Sequence, residues 1–274
     1  MPVKITTESA ADLSDEVISE FGIGVIPMNI ILDGKAYKDG VTVKVERLLE
    51  SGLMATTSAV NVEEYKEFFS EVRESGFDII HISLGGKLSS SYRNAVTASA
   101  MFDNVRVIDS GSLSAGTGLL CVMGSQLASA SDNASGIVRI LEKKKDSIRT
   151  SFILEDLERM KRGGRCTAIE ALGANLLGIK PSIEVRDGRL IPSKRYHGRG
   201  SSARLKYIDR MIKTDDPDRS VCFFNHTLES SNEVSEIERI LKERYGFERV
   251  FVNKAGCCIS AHCGVNCMGV IYLV

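Results

Sequence analysis

The chain has 274 residues, which is enough for one large domain or two modest ones. Its 35 lysines and arginines nearly balance 36 aspartates and glutamates, which argues against a general nucleic-acid binder, because such proteins usually carry a basic excess. No stretch reaches the roughly 18 uninterrupted apolar residues of a membrane span, and the start MPVKITTES lacks the apolar core of a signal peptide, so we expect a cytoplasmic globular protein without membrane insertion.

The N-terminal half alternates between strand-like and helix-like segments. The clearest helix is NVEEYKEFFSEVRESG, in which apolar residues recur at helical spacing from Val62 to Val72. Such alternation predicts a parallel sheet with helices on both faces, and ligands of such sheets bind beyond the carboxyl ends of the strands. The strand-like segments are residues 3–9, 24–34, 77–84 and 104–111, and the helix-like segments are 10–22, 61–76, 91–102 and 133–148. A long stretch of small residues covers 113–130.

The pattern changes near residue 150 and predicts a second, smaller α/β domain. We therefore divide the chain into an N-terminal domain, 1–155, and a C-terminal domain, 156–274. Asp187 and Gly188 predict the turn of a hairpin over residues 179–196. The other predicted strands are 149–156, 220–227, 249–256 and 269–274, and the predicted helices are 157–165, 168–178, 202–214 and 232–246.

Residues 82–95, ISLGGKLSSSYRNA, lead from a buried strand through a glycine turn into a helix. A helix N-terminus attracts anions, because its first N–H groups lack partners within the helix and its dipole is positive there. The Ser89 and Ser90 hydroxyls could bond a ligand oxygen, but capping alone would also explain serines at a helix start. The loop lacks the spacing of a P-loop, so ATP binding is not indicated.

Two further segments carry polar groups that could meet an anion. Thr57 and Ser58 lie in MATTSAV, where the residues alone favour capping of the next helix by Ser58 or Asn61. Arg165 follows a glycine pair and could bind a carboxylate or phosphate, or it could simply complement the dipole at a helix end.

The C-terminal segment AGCCISAHCGVNCMG contains four of the seven cysteines and His262. Its spacing matches no standard zinc or iron–sulfur pattern, so we predict no metal site and interpret the cysteines as buried thiols. An odd number of cysteines without a secretion signal also favours free thiols over disulfides.

Taken in order, KITTESAADL, TTS, ISLGGKLSSSYRNA, LERMKRGGR and SAHCGVNCMGVIYL resemble the DegV family over nearly the whole chain. The resemblance implies a two-domain bacterial fatty-acid-binding protein with its ligand at the domain junction. It assigns the carboxylate of a palmitate, stearate or oleate to Thr57 and Ser89, beside Ser58 and Ser90. It further places His262 in the head-group network and Arg165 nearby, with the tail in an apolar tunnel and no cofactor.

The FakB-like members of that family present the bound fatty acid to a separate fatty acid kinase, which forms an acyl phosphate. The resemblance thus implies a carrier and not an enzyme. Lys194, Arg195 and Arg199 in SKRYHGRG form a candidate kinase-docking surface, although a solvated hairpin end would have the same composition. The alternative function is a serine hydrolase or acyl-transfer enzyme that uses Ser89 and His262, which requires a Ser–His hydrogen bond and an orienting acid.

Overall fold

The computed structural model of the chain describes residues 1–155, 157–166, 178–198 and 200–274. Its strands are β1 (Val3–Glu8), β2 (Gly24–Ile26), β3 (Asn29–Leu32), β4 (Lys35–Lys38), β5 (Thr56–Ser58), β6 (Asp78–Ser83), β7 (Val105–Asp109), β8 (Ile148–Ile153), β9 (Ile179–Arg186), β10 (Arg189–His197), β11 (Val221–His226), β12 (Arg249–Lys254) and β13 (Met268–Leu273).

The helices alternate with these strands through most of the chain. They are α1 (Asp15–Phe21), α2 (Val45–Glu50), α3 (Val62–Glu74), α4 (Ser91–Ser99), α5 (Ala115–Ala130), α6 (Ala134–Lys144), α7 (Glu158–Gly163), α8 (Ser201–Asp215), α9 (Ser231–Arg239) and α10 (Cys257–Cys263). A π-helical turn, Ile240–Arg244, continues α9. Within the described ranges, no helix combines the length and apolar character needed to cross a membrane.

The N-terminal strands form a parallel sheet in the order β2-β1-β6-β7. Successive residues of a strand point to opposite faces. Ile79 therefore packs into a core with α3 and α4, while Ile80 packs into a second core with α5 and α6. The predicted parallel sheet with helices on both faces is confirmed.

The C-terminal strands form a mixed sheet in the order β10-β9-β8-β13-β11-β12. The predicted hairpin is present, and its turn residues Asp187 and Gly188 have φ angles of 50° and 70°, as a two-residue hairpin turn requires. β8 pairs with β9 and β13, so this strand belongs to the C-terminal sheet although it precedes residue 156. The division of the chain at 155/156 stays a prediction.

A small antiparallel sheet in the order β4-β3-β5 was not predicted. It contains β5, on which Ser58 is one of the residues predicted as a possible helix cap. Of the two predicted cap candidates, Ser58 and Asn61, the cap of α3 is Asn61, whose Oδ1 accepts a hydrogen bond from the Glu64 N–H at 3.0 Å, while Glu64 accepts one from the Asn61 N–H at 2.8 Å. Because this capping box satisfies the start of α3, the side chains of β5 are not needed as helix caps.

A buried carboxylate, Glu8, connects β1 to the end of β6. It accepts hydrogen bonds from the Tyr65 hydroxyl at 2.5 Å, the Ser83 hydroxyl at 2.6 Å and the Leu84 N–H at 2.8 Å, and it lies 3.2 Å from His81 Nε2. Burial opposes ionisation, but His81, helped by the two hydroxyls, holds the pKa of Glu8 below its ordinary value. The network fixes the point at which the polypeptide leaves β6.

We expect Tyr65→Phe to lower the free energy of unfolding by about 1.5–3 kcal/mol, because it removes a hydrogen bond to a buried charge and keeps the ring. Denaturant unfolding measures the change. Tyr37→Phe is the matched control, since the Tyr37 hydroxyl accepts a surface hydrogen bond from Arg47 at 3.4 Å and has no other hydrogen-bond partner among the described residues. Equal stabilities of the two variants would contradict the importance assigned to the Glu8 network.

Candidate functional site

A cavity of about 1040 Å³, counting its open mouth, lies between the loops that follow β6 and β7 and the C-terminal sheet. Most of its described lining residues are apolar. These are Met28, Ala59, Leu84, Leu88, Leu113, Phe152, Met160, Leu190, Ala255, Cys258, Ile259, Cys263, Cys267, Gly269 and Ile271. The polar ones are Thr57, Ser89, Ser90, Ser114, Thr150, Ser151, Arg165, Asn225, His226, Thr227 and His262.

Thr57 and His262 meet at this cavity although 205 positions separate them in the chain. The Thr57 Oγ1 lies 3.0 Å from Nε2 of His262, and both side chains are partly buried. Pairing of Thr57 with Ile30 holds β5 in place, while α10 supplies His262. The structure thus brings together two residues that the sequence resemblance assigned to one head-group network.

Two buried acids, Asp12 and Asp39, hold the N-terminus of α10. Asp12 Oδ1 accepts a hydrogen bond from the Gly256 N–H at 2.8 Å, while Asp39 accepts bonds from the N–H groups of Cys257 at 2.8 Å and Cys258 at 3.2 Å. Carboxyl oxygens at this end also complement the helix dipole. Sequence analysis missed both acids, because no local pattern connects them with a helix more than 200 residues away.

His262 is held as a neutral ring at neutral pH. Burial, together with the nearby Arg165 cation, lowers the pKa of His262 to about 4. On the other side of the ring, a Cβ placed at Gly163 would lie 2.3 Å from Nδ1, so this position admits glycine alone. The two glycines that precede Arg165 therefore have different roles. Gly163 leaves room for the His262 ring, and Gly164 ends α7 with a φ of 67°.

The glycine turn after β6 packs directly against the loop after β7. Gly85 donates a hydrogen bond from its N–H to the Ser112 carbonyl at 2.8 Å, and an added Cβ would lie 3.0 Å from that oxygen. Gly86 donates its N–H to Asp109 Oδ1 at 3.0 Å. These contacts fix the position of the glycine turn, and the serines that follow it, Ser89 and Ser90, line the cavity.

Ser89 lies at the start of α4 and has a partly buried side chain. Its hydroxyl oxygen accepts the Ser91 N–H at 3.1 Å and lies 3.0 Å from the Ser91 hydroxyl. Ser89 thus bonds the backbone at the helix start and lines the cavity at the same time. The two sequence readings, helix capping and ligand binding, are compatible in this geometry.

The remaining predicted residues divide into two groups. Ser90 and Arg165 are exposed and line the cavity, where the Arg165 guanidinium donates to the Gly163 carbonyl at 2.6 Å. Ser58 is exposed one position beyond Thr57 on β5, so strand alternation turns it away, and it does not line the cavity.

The predicted basic surface lies apart from the cavity wall. Lys194 and Arg195 are exposed on β10, the edge strand of the C-terminal sheet, and neither lines the cavity. Arg199 lies outside the described residues, and so does almost all of the predicted helix over residues 168–178.

The cysteines are all free and buried, which confirms the thiol prediction. Cys258, Cys263 and Cys267 line the cavity. Burial raises the pKa of Cys258 and keeps its thiol protonated. Among the described residues, no group of three or more histidines, cysteines or acids could hold a metal ion.

Sequence analysis also missed a set of polar residues on the inner wall. The Ser151 hydroxyl lies 2.6 Å from that of Tyr207, and the Thr150 hydroxyl lies 2.9 Å from that of Ser112. These side chains therefore have partners within the protein. The sequence gives no signal for these hydroxyl residues, because single serines and threonines are common in apolar strands and form no motif with a recognisable spacing.

The arrangement does not favour the serine hydrolase reading. Nε2 of His262 bonds Thr57, whereas the Ser89 hydroxyl bonds Ser91. On the Nδ1 side, where a triad would place its orienting acid, the ring meets Gly163. In the described part of the chain, the contacts of Ser89 and His262 are thus those of a polar binding surface.

Comparison with known proteins gives one consistent family. Residues 2–274 match the family model described as "Uncharacterised protein, DegV family". A DegV domain-containing protein of Caldanaerobacter subterraneus is 32% identical over 277 residues, which covers 98% of each chain. A DegV domain-containing protein of Staphylococcus aureus is 29% identical over 274 residues, again 98% of each chain.

Solved structures share the fold over the full length. One is described as "Fatty Acid Binding of a DegV family Protein from Thermus thermophilus", with a TM-score of 0.88, 24% identity and 100% coverage of both chains. Another is DegV from Bacillus subtilis, described as a fatty acid binding protein, with a TM-score of 0.88, 22% identity and coverage of 100% and 99%. A stearic acid-binding protein from Eubacterium ventriosum gives a TM-score of 0.86 at 22% identity, covering 99% and 98%.

His262→Gln tests the buried neutral ring through the pH dependence of stability. An unfolded histidine has a pKa near 6.5, so between about pH 6.5 and pH 4 the unfolded chain binds a proton that folded His262 does not. The His262 contribution to the unfolding free energy therefore falls as pH is lowered through this window, by on the order of 3 kcal/mol. We expect wild type to lose stability relative to His262→Gln in urea titrations across that range.

His197→Gln on β10 is the matched control, because this side chain is exposed. Its stability should follow wild type at each pH. Parallel curves for wild type and His262→Gln would contradict the neutral state assigned to His262.

Proposed function

The chain belongs to the DegV family, and we propose that it binds a long-chain fatty acid, with the carboxylate at the cavity mouth and the tail inside. The observation that carries the proposal is the convergence of Thr57, His262 and Ser89 on one cavity whose other lining residues are mostly apolar. The fatty-acid-binding descriptions of the Thermus thermophilus and Bacillus subtilis structures support the same assignment.

The polar end of the cavity suits a carboxylate. A carboxylate has two oxygens that accept about four hydrogen bonds in all. The hydroxyls of Thr57 and Ser89 can donate two of these, and a neutral His262 that donates from Nε2 to Thr57 Oγ1 leaves the Thr57 proton free for the carboxylate. The N-terminus of α4 and the Arg165 cation favour negative charge at the mouth.

The apolar part of the cavity suits an aliphatic tail. Each buried CH₂ group contributes roughly 0.8 kcal/mol, so a chain of about 16 carbons supplies most of the binding free energy. Palmitate, stearate and oleate are the ligands we propose.

The finer role is presentation of the carboxylate to a fatty acid kinase, with this chain as carrier and not as enzyme. The carboxylate would sit beside the exposed residues Ser90 and Arg165, where a second protein can reach it. The sequence has no P-loop spacing, so the phosphoryl donor would be bound by the kinase. Lys194 and Arg195 on exposed β10 are our candidate docking residues.

We expect Thr57→Val and Ser89→Ala each to weaken binding of palmitate or oleate roughly 10- to 150-fold, since each removes a hydrogen bond to a charged group worth about 1.5–3 kcal/mol. Titration calorimetry on delipidated protein measures the change. Thr56→Val is the matched control, because Thr56 is an exposed neighbour on β5 that does not line the cavity.

Absence of binding by wild-type protein, together with absence of lipid in an organic extract of the purified chain, would contradict the proposed function. Wild-type affinity in both Thr57→Val and Ser89→Ala would contradict only the carboxylate site.

We expect the double variant Lys194→Glu and Arg195→Glu to reduce acyl phosphate formation by a cognate fatty acid kinase at least several-fold, because charge reversal at a docking surface slows association. Hydroxylamine trapping of the acyl phosphate measures turnover, and fatty-acid affinity should not change. The double variant Lys143→Glu and Lys144→Glu on α6 serves as the charge-matched control. Unchanged turnover in the double variant would exclude this surface.

A further inference from the structure

The end of the β9–β10 hairpin leaves the sheet to which its base belongs. β8 pairs with β9 at three positions, where Ser151–Ile153 face Ser182–Glu184. Over residues 148–150, in the described ranges, β8 pairs with β13 on its other side but not with β9. Because β10 is the edge strand of the sheet, residues 185–190 form a two-stranded ribbon that has no neighbouring strand on either side.

The inner face of this ribbon covers the cavity. Leu190 is 5% exposed and lines the cavity, and it pairs across the ribbon with Val185. Cross-strand partners lie on the same face, and both side chains pack in one apolar cluster with Leu88 and Leu113. Those two leucines belong to the loops after β6 and β7 and also line the cavity. The ribbon therefore closes one side of the cavity against the N-terminal loops.

The tip of the ribbon is fastened to those loops by a lysine. Lys87 Nζ donates a hydrogen bond to the Asp187 carbonyl at 2.7 Å, at an exposed position. The turn lies close to the same side chain, since a Cβ added at Gly188 would be 3.4 Å from Lys87 Cδ. Nearer the base, the Cys166 thiol donates to the Leu190 carbonyl at 3.3 Å.

The base of the hairpin is held much more firmly than the ribbon. Ile183 is fully buried and pairs on one side with Phe152 of β8 and on the other with Pro192 of β10. Segments with fewer backbone partners open at lower free energy than segments paired on both sides. The ribbon is thus a weakly supported segment that covers a buried cavity, as ligand-gating segments commonly are.

From these observations, and resting on the proposed function, we propose that the ribbon is a lid, latched by Lys87, through which the fatty acid enters and leaves the cavity. When the Lys87 hydrogen bond breaks, Val185 and Leu190 move away from Leu88 and Leu113 and open this side of the cavity. The aliphatic chain can then pass sideways and does not have to be drawn end-first through the polar mouth. A bound chain in contact with Leu190 holds the lid closed, because opening would expose apolar surface of both.

The rate of ligand exchange in Lys87→Met tests the lid, because this variant removes the donor and keeps an apolar side chain. Opening that limits both entry and exit slows both, so release of the latch should raise the association and dissociation rate constants by the same factor. We expect roughly 2- to 10-fold for the loss of one hydrogen bond, with little change in equilibrium affinity. Stopped-flow mixing of delipidated protein with cis-parinarate, a naturally fluorescent fatty acid, gives the association rate constant, and displacement by stearate gives the dissociation rate constant.

Lys206→Met is the matched control. Lys206 Nζ donates to the His197 carbonyl at 3.0 Å, which is an exposed lysine–carbonyl bond to the same strand at the end away from the ribbon. Its rate constants should equal those of wild type. Hydrogen exchange of the ligand-free proteins, followed by mass spectrometry, reads the ribbon itself: amides of residues 185–190 should exchange faster in Lys87→Met than in wild type, while those of residues 179–184 exchange equally.

The two proposals fail in different ways. Unchanged rate constants or unchanged hydrogen exchange in Lys87→Met would overturn the lid, although fatty-acid binding would stand. Faster dissociation alone, with a matching loss of affinity, would also overturn it, because Lys87 would then hold the ligand and not the ribbon. If wild type binds neither cis-parinarate nor stearate, the proposed function itself is wrong, and so is the lid that rests on it.

Discussion

The site depends on the capping of α10 by acids from the N-terminal part of the chain. Asp12 follows β1 and Asp39 follows β4, yet their carboxyl groups accept the N–H groups that open a helix close to the C-terminus. A helix start leaves N–H groups without partners, and burial makes such groups costly. The two acids meet this need and thereby set the position of His262 against Thr57.

Asp12 also links the cap to the cavity wall. It bonds both Gly256 and Ser114, and Ser114 bonds Asn225, so one carboxyl group connects α10, the start of α5 and β11. Burial raises the pKa of Asp12 to about 8. Because its folded pKa lies above the unfolded value of about 3.9, this group contributes stability at low pH that is lost as pH rises through 8. The contribution of His262 changes in the opposite direction between about pH 4 and pH 6.5, inside the range over which the Asp12 contribution is lost.

The sequence predicted what depends on periodicity and on local turn chemistry. Helix α3, the parallel sheet and the Asp187–Gly188 hairpin follow from patterns within a few residues. It did not predict β5, because a three-residue strand of hydroxyl side chains has no apolar alternation. Nor could local patterns place Thr57 beside His262, since that contact forms only when the sheets have assembled; the family resemblance supplied this pairing.

In the proposed complex, the head group meets neutral donors and one exposed cation. A fully buried counter-charge would bind the carboxylate more firmly, but it would also enclose the atom that a kinase has to reach. Hydroxyls and a neutral ring avoid the desolvation cost of a second buried ion. Affinity then comes mainly from the tail, whose burial does not depend on the charge of the head group. A carrier built in this way can hold its lipid while the chemistry at the carboxylate changes, because the interactions that retain the ligand lie away from the reacting group.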